Sequence, residues 1–73
     1  MSSESTQIAD DLRSVADRIA DQALATLRKA IGADSEEKQA ELRKVEKRLT
    51  RARRSVEKAI SLLDDVDSGE DDS

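Results

Sequence analysis

From Ile8 onward the apolar residues recur every three or four positions, the spacing that lines one face of a helix. In the first half they are Ile8, Leu12, Val15, Ile19, Ala23, Leu27 and Ala30/Ile31, with a stutter after Ile19. Alanines 9, 16, 20, 23 and 25 flank this stripe, and small residues of that kind let a neighbouring helix come close. The second half is more regular. Leu42, Val45, Leu49, Ala52, Val56, Ala59, Leu63 and Val66 alternate steps of three and four, so Leu42, Leu49, Val56 and Leu63 fall at heptad a and the others at d.

Between the two patterns lie a stop signal and a start signal. Gly32 suits the left-handed position that ends many helices, and Arg28 and Lys29 precede it where positive charge meets the carbonyl end. Asp34 then stands three residues before Glu37, the spacing of a capping box. So short a loop joins antiparallel neighbours. The expected architecture is all-α: an antiparallel, coiled-coil-like helical hairpin over residues 6–66. Helix 1 is expected over about 5–31, the turn over 32–34 and helix 2 over about 35–66, with a serine near the start of helix 1 as its cap. Residues 1–5 are expected to be a disordered N-terminus and residues 67–73 a disordered acidic tail. Folding at Gly32 would set Leu24 near Leu42, Ile19 near Leu49, Val15 near Ala52, Leu12 near Val56, and Ile8 near Ala59 and Ile60.

Length turns this outline into a stability problem. With 73 residues the chain holds one domain at most, and a core that small supplies only about 3–5 kcal/mol. There is no Cys for a disulfide and no His for the commonest metal sites, so association is the remaining way to secure the fold. The simplest form is a homodimer in which two hairpins make an antiparallel four-helix bundle. Its expected interface is the Ala-rich face of helix 1 (Ala16, Ala20 and Ala23) together with the cluster Ile60, Leu62, Leu63 and Val66. Ile60 and Leu62 stand off the heptad seam of helix 2, and helix 1 is expected to cover only part of that end.

Charge is segregated along the chain beneath a net −4: residues 43–58 carry eight bases and two acids, and residues 59–73 six acids and no base. Lys44, Lys47, Arg48, Arg51, Arg54 and Lys58 form one stripe away from the expected seam, a candidate polyanion-binding surface. The competing reading is a solvated face partly neutralised by Asp10, Asp11, Asp17, Asp21 and the tail. Without an aromatic residue for stacking or an Asn for reading adenine, nucleic-acid binding would be non-specific and salt-sensitive. A parallel pairing of helix 2 with its own copy would oppose Glu41 to Glu46 and Arg48 to Arg53, which disfavours it.

Candidate chemistry is sparse. The hydroxyls have no His as a base, and the lysines read as solvent-facing. The acidic end fails the EF-hand pattern: with Gly69 as the loop glycine, Val66 takes a ligand position and the loop runs past Ser73. No catalytic residue, metal, cofactor or small-molecule substrate is expected. Nor does any run approach the ~20 apolar residues of a membrane span, so a cytoplasmic location is the expectation. The function read from these features is a non-enzymatic protein–protein interaction module: an adaptor, regulator or small subunit acting as a helical homo-oligomer. The alternatives are a small nucleic-acid-binding protein using the basic stripe, and an acidic modulator that fits a basic groove on a partner.

Overall fold

A computed structural model describes residues 3–67; of the expected acidic tail 67–73, Asp67 instead ends the second helix and residues 68–73 lie outside the described residues. Two helices, α1 (Glu4–Ile31) and α2 (Glu36–Asp67), pack against each other as a hairpin, and there is no strand among the described residues. Both helices start in the same way. The Ser3 hydroxyl accepts the Thr6 N–H at 3.1 Å, and the Ser35 hydroxyl accepts the Lys38 N–H at 3.2 Å. Each satisfies a donor that the first turn cannot. Two expectations change accordingly. Ser3, Glu4 and Ser5 are the cap and first turn of α1 rather than part of a disordered N-terminus, and Ser35 caps α2 in place of Asp34.

Gly32 ends α1, but not in the left-handed conformation expected of it. Its φ of −89° and ψ of 5° are open to any residue, and a Cβ there would meet the Arg28 carbonyl oxygen at an ordinary 3.7 Å. The Gly32 N–H donates to the Arg28 carbonyl at 3.1 Å and the Ala33 N–H to the Ala30 carbonyl at 3.2 Å, so the last turn tightens before the chain leaves the helix.

The line along which the helices meet differs most from expectation. In α1 and the start of the loop the inward residues are Ala9, Leu12, Ala16, Ile19, Ala23, Thr26, Ala30 and Ala33, all buried or half-buried. Their steps alternate three and four without the expected stutter. In α2 the inward row is Gln39, Leu42, Glu46, Leu49, Arg53, Val56, Ile60 and Leu63. Leu42, Leu49, Val56 and Leu63 face α1 as expected, but their companions are Gln39, Glu46, Arg53 and Ile60, while Val45, Ala52 and Val66 are exposed. The reason lies in the repeat. Only a seven-residue repeat in both helices keeps two rows in contact over this length, and in α1 the alanine row has that repeat.

The register also differs. Arg13 Nη2 lies 2.8 Å from Asp64 Oδ2, and Ala20, Ala23 and Leu27 share a groove with Glu46, Leu49 and Thr50. Ala23 is therefore level with Leu49, and the two rows carry Ala30 to Leu42, Ala16 to Val56, Leu12 to Ile60 and Ala9 to Leu63. This is about one helical turn away from the pairing of Ile19 with Leu49 and Leu12 with Val56. Alanine meets a large side chain at every second level, so the helices can approach closely.

The hairpin is a single layer. Its extents are 52 × 25 × 11 Å, and its radius of gyration of 16.6 Å exceeds the ~11 Å of a compact chain this long. Among the described residues only Ala9, Ala16, Thr26 and Ala30 are buried. No helix among these residues is long and apolar enough to cross a membrane.

Candidate interaction surfaces

In an antiparallel helix pair the residues just after the inward row fall on one side and those just before it on the other. The two sides of this hairpin differ in chemistry. On the first lie Arg13, Ala20 and Leu27 of α1 with Thr50, Glu57 and Asp64 of α2. Arg13 bridges the helices there, donating from Nη1 to Asp10 and from Nη2 to Asp64, each at 2.8 Å. The Thr50 hydroxyl donates to Glu46 Oε2 at 2.9 Å. An open groove of about 210 Å³ between these residues extends to Arg53, whose buried Nε has no hydrogen-bond partner. Leu24 and Ile31 are exposed further round α1, toward the loop.

On the second side lie Ile8 and Val15 of α1 with Val45, Ala52, Ala59 and Val66 of α2, and Leu62 at the rim. The large ones are well exposed: Ile8 42 %, Val15 36 %, Val45 45 %, Leu62 59 % and Val66 64 %. On α2 these positions make an apolar row from Val45 to Val66; on α1 the row stops at Val15, because Gln22 and Lys29 follow at the same spacing. A row of this length is the kind of surface that marks an association site.

The sequence-derived interface residues divide between seam and surface. Ala16 is buried against α2, and Ala20 and Ala23 are half-buried beside the groove. Ile60 and Leu63 are half-buried in the inward row, because the shifted register brings α1 further over the end of α2 that it was expected to cover only in part. Leu62 and Val66 remain exposed. The spacing analysis missed Ile8, Val15, Val45 and Ala52 as surface because it counted them in the seam. The signal that separates them is the unbroken repeat through Ala9, Ala16, Ala23 and Ala30.

Lys44, Lys47, Arg48, Arg51, Arg54 and Lys58 are all exposed on the face of α2 turned away from α1. The outward face of α1 carries Asp10, Asp11, Asp17 and Asp21, also exposed. The two long edges of the slab are thus opposite in charge over their middle portions. Among the described residues no group of three or more Asp, Glu, His or Cys is arranged to hold a metal ion. No family model matches the chain, and neither a curated protein nor a solved structure matches it.

Proposed function

We propose that the chain is a non-enzymatic protein–protein interaction module that works as a helical homo-oligomer, in the role of adaptor, regulator or small subunit of a larger complex. The apolar row of Ile8, Val15, Val45, Ala52, Ala59 and Val66 carries this reading. A single layer in which, among the described residues, only alanines and one threonine are buried leaves most of its large apolar side chains partly in water, and covering them is the largest stabilisation open to it. Light scattering behind size exclusion tests the reading: a dimer or larger assembly at micromolar concentration is expected, and a monomer across the accessible range sinks it.

The exposed stripe of Lys44, Lys47, Arg48, Arg51, Arg54 and Lys58 favours a second reading, in which the chain binds nucleic acid through phosphates. Fluorescence anisotropy with a labelled duplex should then show binding at low salt that falls steeply as salt rises. No binding at low salt ends it.

A further inference from the structure

We infer that the single hairpin has a second seam, reached when both helices turn about their own axes, and that the turn decides whether the apolar side is presented or hidden. The inference concerns one chain by itself and does not need the homo-oligomer reading.

Each helix carries a second row beside the inward one. In α2, Leu42, Leu49, Val56 and Leu63 belong to both rows. Gln39, Glu46, Arg53 and Ile60 complete the observed row, and Val45, Ala52, Ala59 and Val66 complete the second. In α1, Leu12, Ile19, Thr26 and Ala33 are shared. Ala9, Ala16, Ala23 and Ala30 complete the observed row, and Ile8, Val15, Gln22 and Lys29 the second. Both second rows lie on the same side of the hairpin, so the helices reach them by turning in opposite senses, like meshed gears. The turn is roughly a sixth of a full one, and the register moves by only about one residue. Ile8 then comes level with Leu63, Leu12 with Ala59, Val15 with Val56 and Ile19 with Ala52.

Neither seam satisfies the whole chain. Toward the loop, α1 favours the observed seam, with Ala23 and Ala30 inward instead of Gln22 and Lys29. Toward its start, α1 favours the second, with Ile8 and Val15 inward instead of Ala9 and Ala16. In α2 the observed seam holds Glu46 and Arg53, half-buried, where the second holds Val45 and Ala52. The buried Nε of Arg53 has no hydrogen-bond partner, so the observed seam is imperfect at its middle. Ile60 in place of Ala59 is what the observed seam gains in return. Conflicts of this kind bring two packings of one sequence close in free energy, and packed helices exchange between such arrangements rather than deform continuously. Room for the turn exists at its least favourable point. Lys29, Lys38 and Leu42 line an open cavity of about 450 Å³ beside Gly32. There the Lys29 stem can lie along Leu42 with its ammonium in water.

The turn exchanges the two sides. Glu46 and Arg53 move out to the flank, where water reaches them, and the exposed Arg13–Asp64 pair separates at little cost. Ile8, Val15, Val45 and Ala52 leave the surface. A chain closed on the second seam offers no apolar row, so the turn is an autoinhibitory switch on any association through that side.

The chain has no cysteine, so Asp17→Cys with Arg54→Cys places two spin labels at exposed positions on the ion-paired side. Labelled chains are diluted with unlabelled ones, so that only distances within one chain are read. Dipolar measurement should give two separations, the longer by roughly 5 Å, because both labels turn away from the opposite helix. Gln22→Leu with Lys29→Leu completes the second row of α1 and should shift weight to the longer separation. One separation in the chain with native Gln22 and Lys29 overturns the inference, and so do two whose weights this variant leaves unchanged. The association state enters neither outcome, so the homo-oligomer reading stands or falls separately, by light scattering.

Discussion

The two sides of one hairpin show two ways to finish a helix pair. The side bearing Arg13, Thr50 and Asp64 carries an ion pair between the helices and a Thr50–Glu46 hydrogen bond within α2, with Leu24 and Ile31 exposed beyond them. The side bearing Ile8, Val15, Val45 and Val66 presents hydrocarbon to water. The first is worth little and fixes register; the second is worth more and is collected only when something covers it. Side chains adjacent to the same inward row therefore divide into those that tie the single chain together and those that it leaves in water.

The largest test strikes the row that both sides share. Leu49→Asp puts a charge among the half-buried residues at the middle of the seam, at a cost of several kcal/mol that a core supplying about 3–5 kcal/mol cannot absorb. Helicity by circular dichroism should collapse, and its survival would mean that the seam lies elsewhere. Val15→Glu acts on the apolar side alone. It should abolish the dimer by light scattering and remove the concentration dependence of the thermal midpoint, and an unchanged mass would erase the distinction between the sides. Arg53→Leu acts inside the seam, next to the groove of the ion-paired side. Replacing a guanidinium whose buried Nε lacks a partner with hydrocarbon should raise stability by about 1 kcal/mol in denaturant titration, and a loss would mean that Arg53 is satisfied in solution. The smallest effect belongs to Arg13→Ala, which should cost about 0.2–1 kcal/mol, shrink further in high salt and leave the mass unchanged. A change of oligomeric state in this variant would show that the ion-paired side also carries contacts between copies.

Much of the hairpin could be read from spacing. The stop near Gly32 and the a positions Leu42, Leu49, Val56 and Leu63 follow from local signals that the fold respects. The choice between two overlapping stripes in α1 did not. Ile8 and Val15 outweigh Ala9 and Ala16 on any hydrophobicity scale, so counting apolar mass points to the wrong face. The inward face is set by repeat and by closeness of approach, properties of the pair rather than of one helix. The same error moved Val45, Ala52 and Val66 into the seam and left Arg53 and Glu46 out of it. The caps show a milder version: Asp34 and Ser35 are both good caps by type, and the tertiary path of the loop decides for Ser35. The basic stripe was legible because exposed charge needs no partner to settle its position.

The alanine row also divides the cost of ordering. Alanine has no rotamers to lose, so closing Ala9, Ala16, Ala23 and Ala30 against α2 freezes little beyond the backbone of α1. Of the exposed residues, Ile8, Val15, Val45 and Val66 are β-branched and already hold one χ1 rotamer in their helices, so covering them would cost little further side-chain entropy. Most contacts of a helical hairpin lie within its helices, the class of topology that forms in microseconds to milliseconds. Closing is thus quick, and the four alanines lower its side-chain cost without removing it, because Leu12, Ile19, Leu42, Leu49, Val56, Ile60 and Leu63 are ordered in the same step.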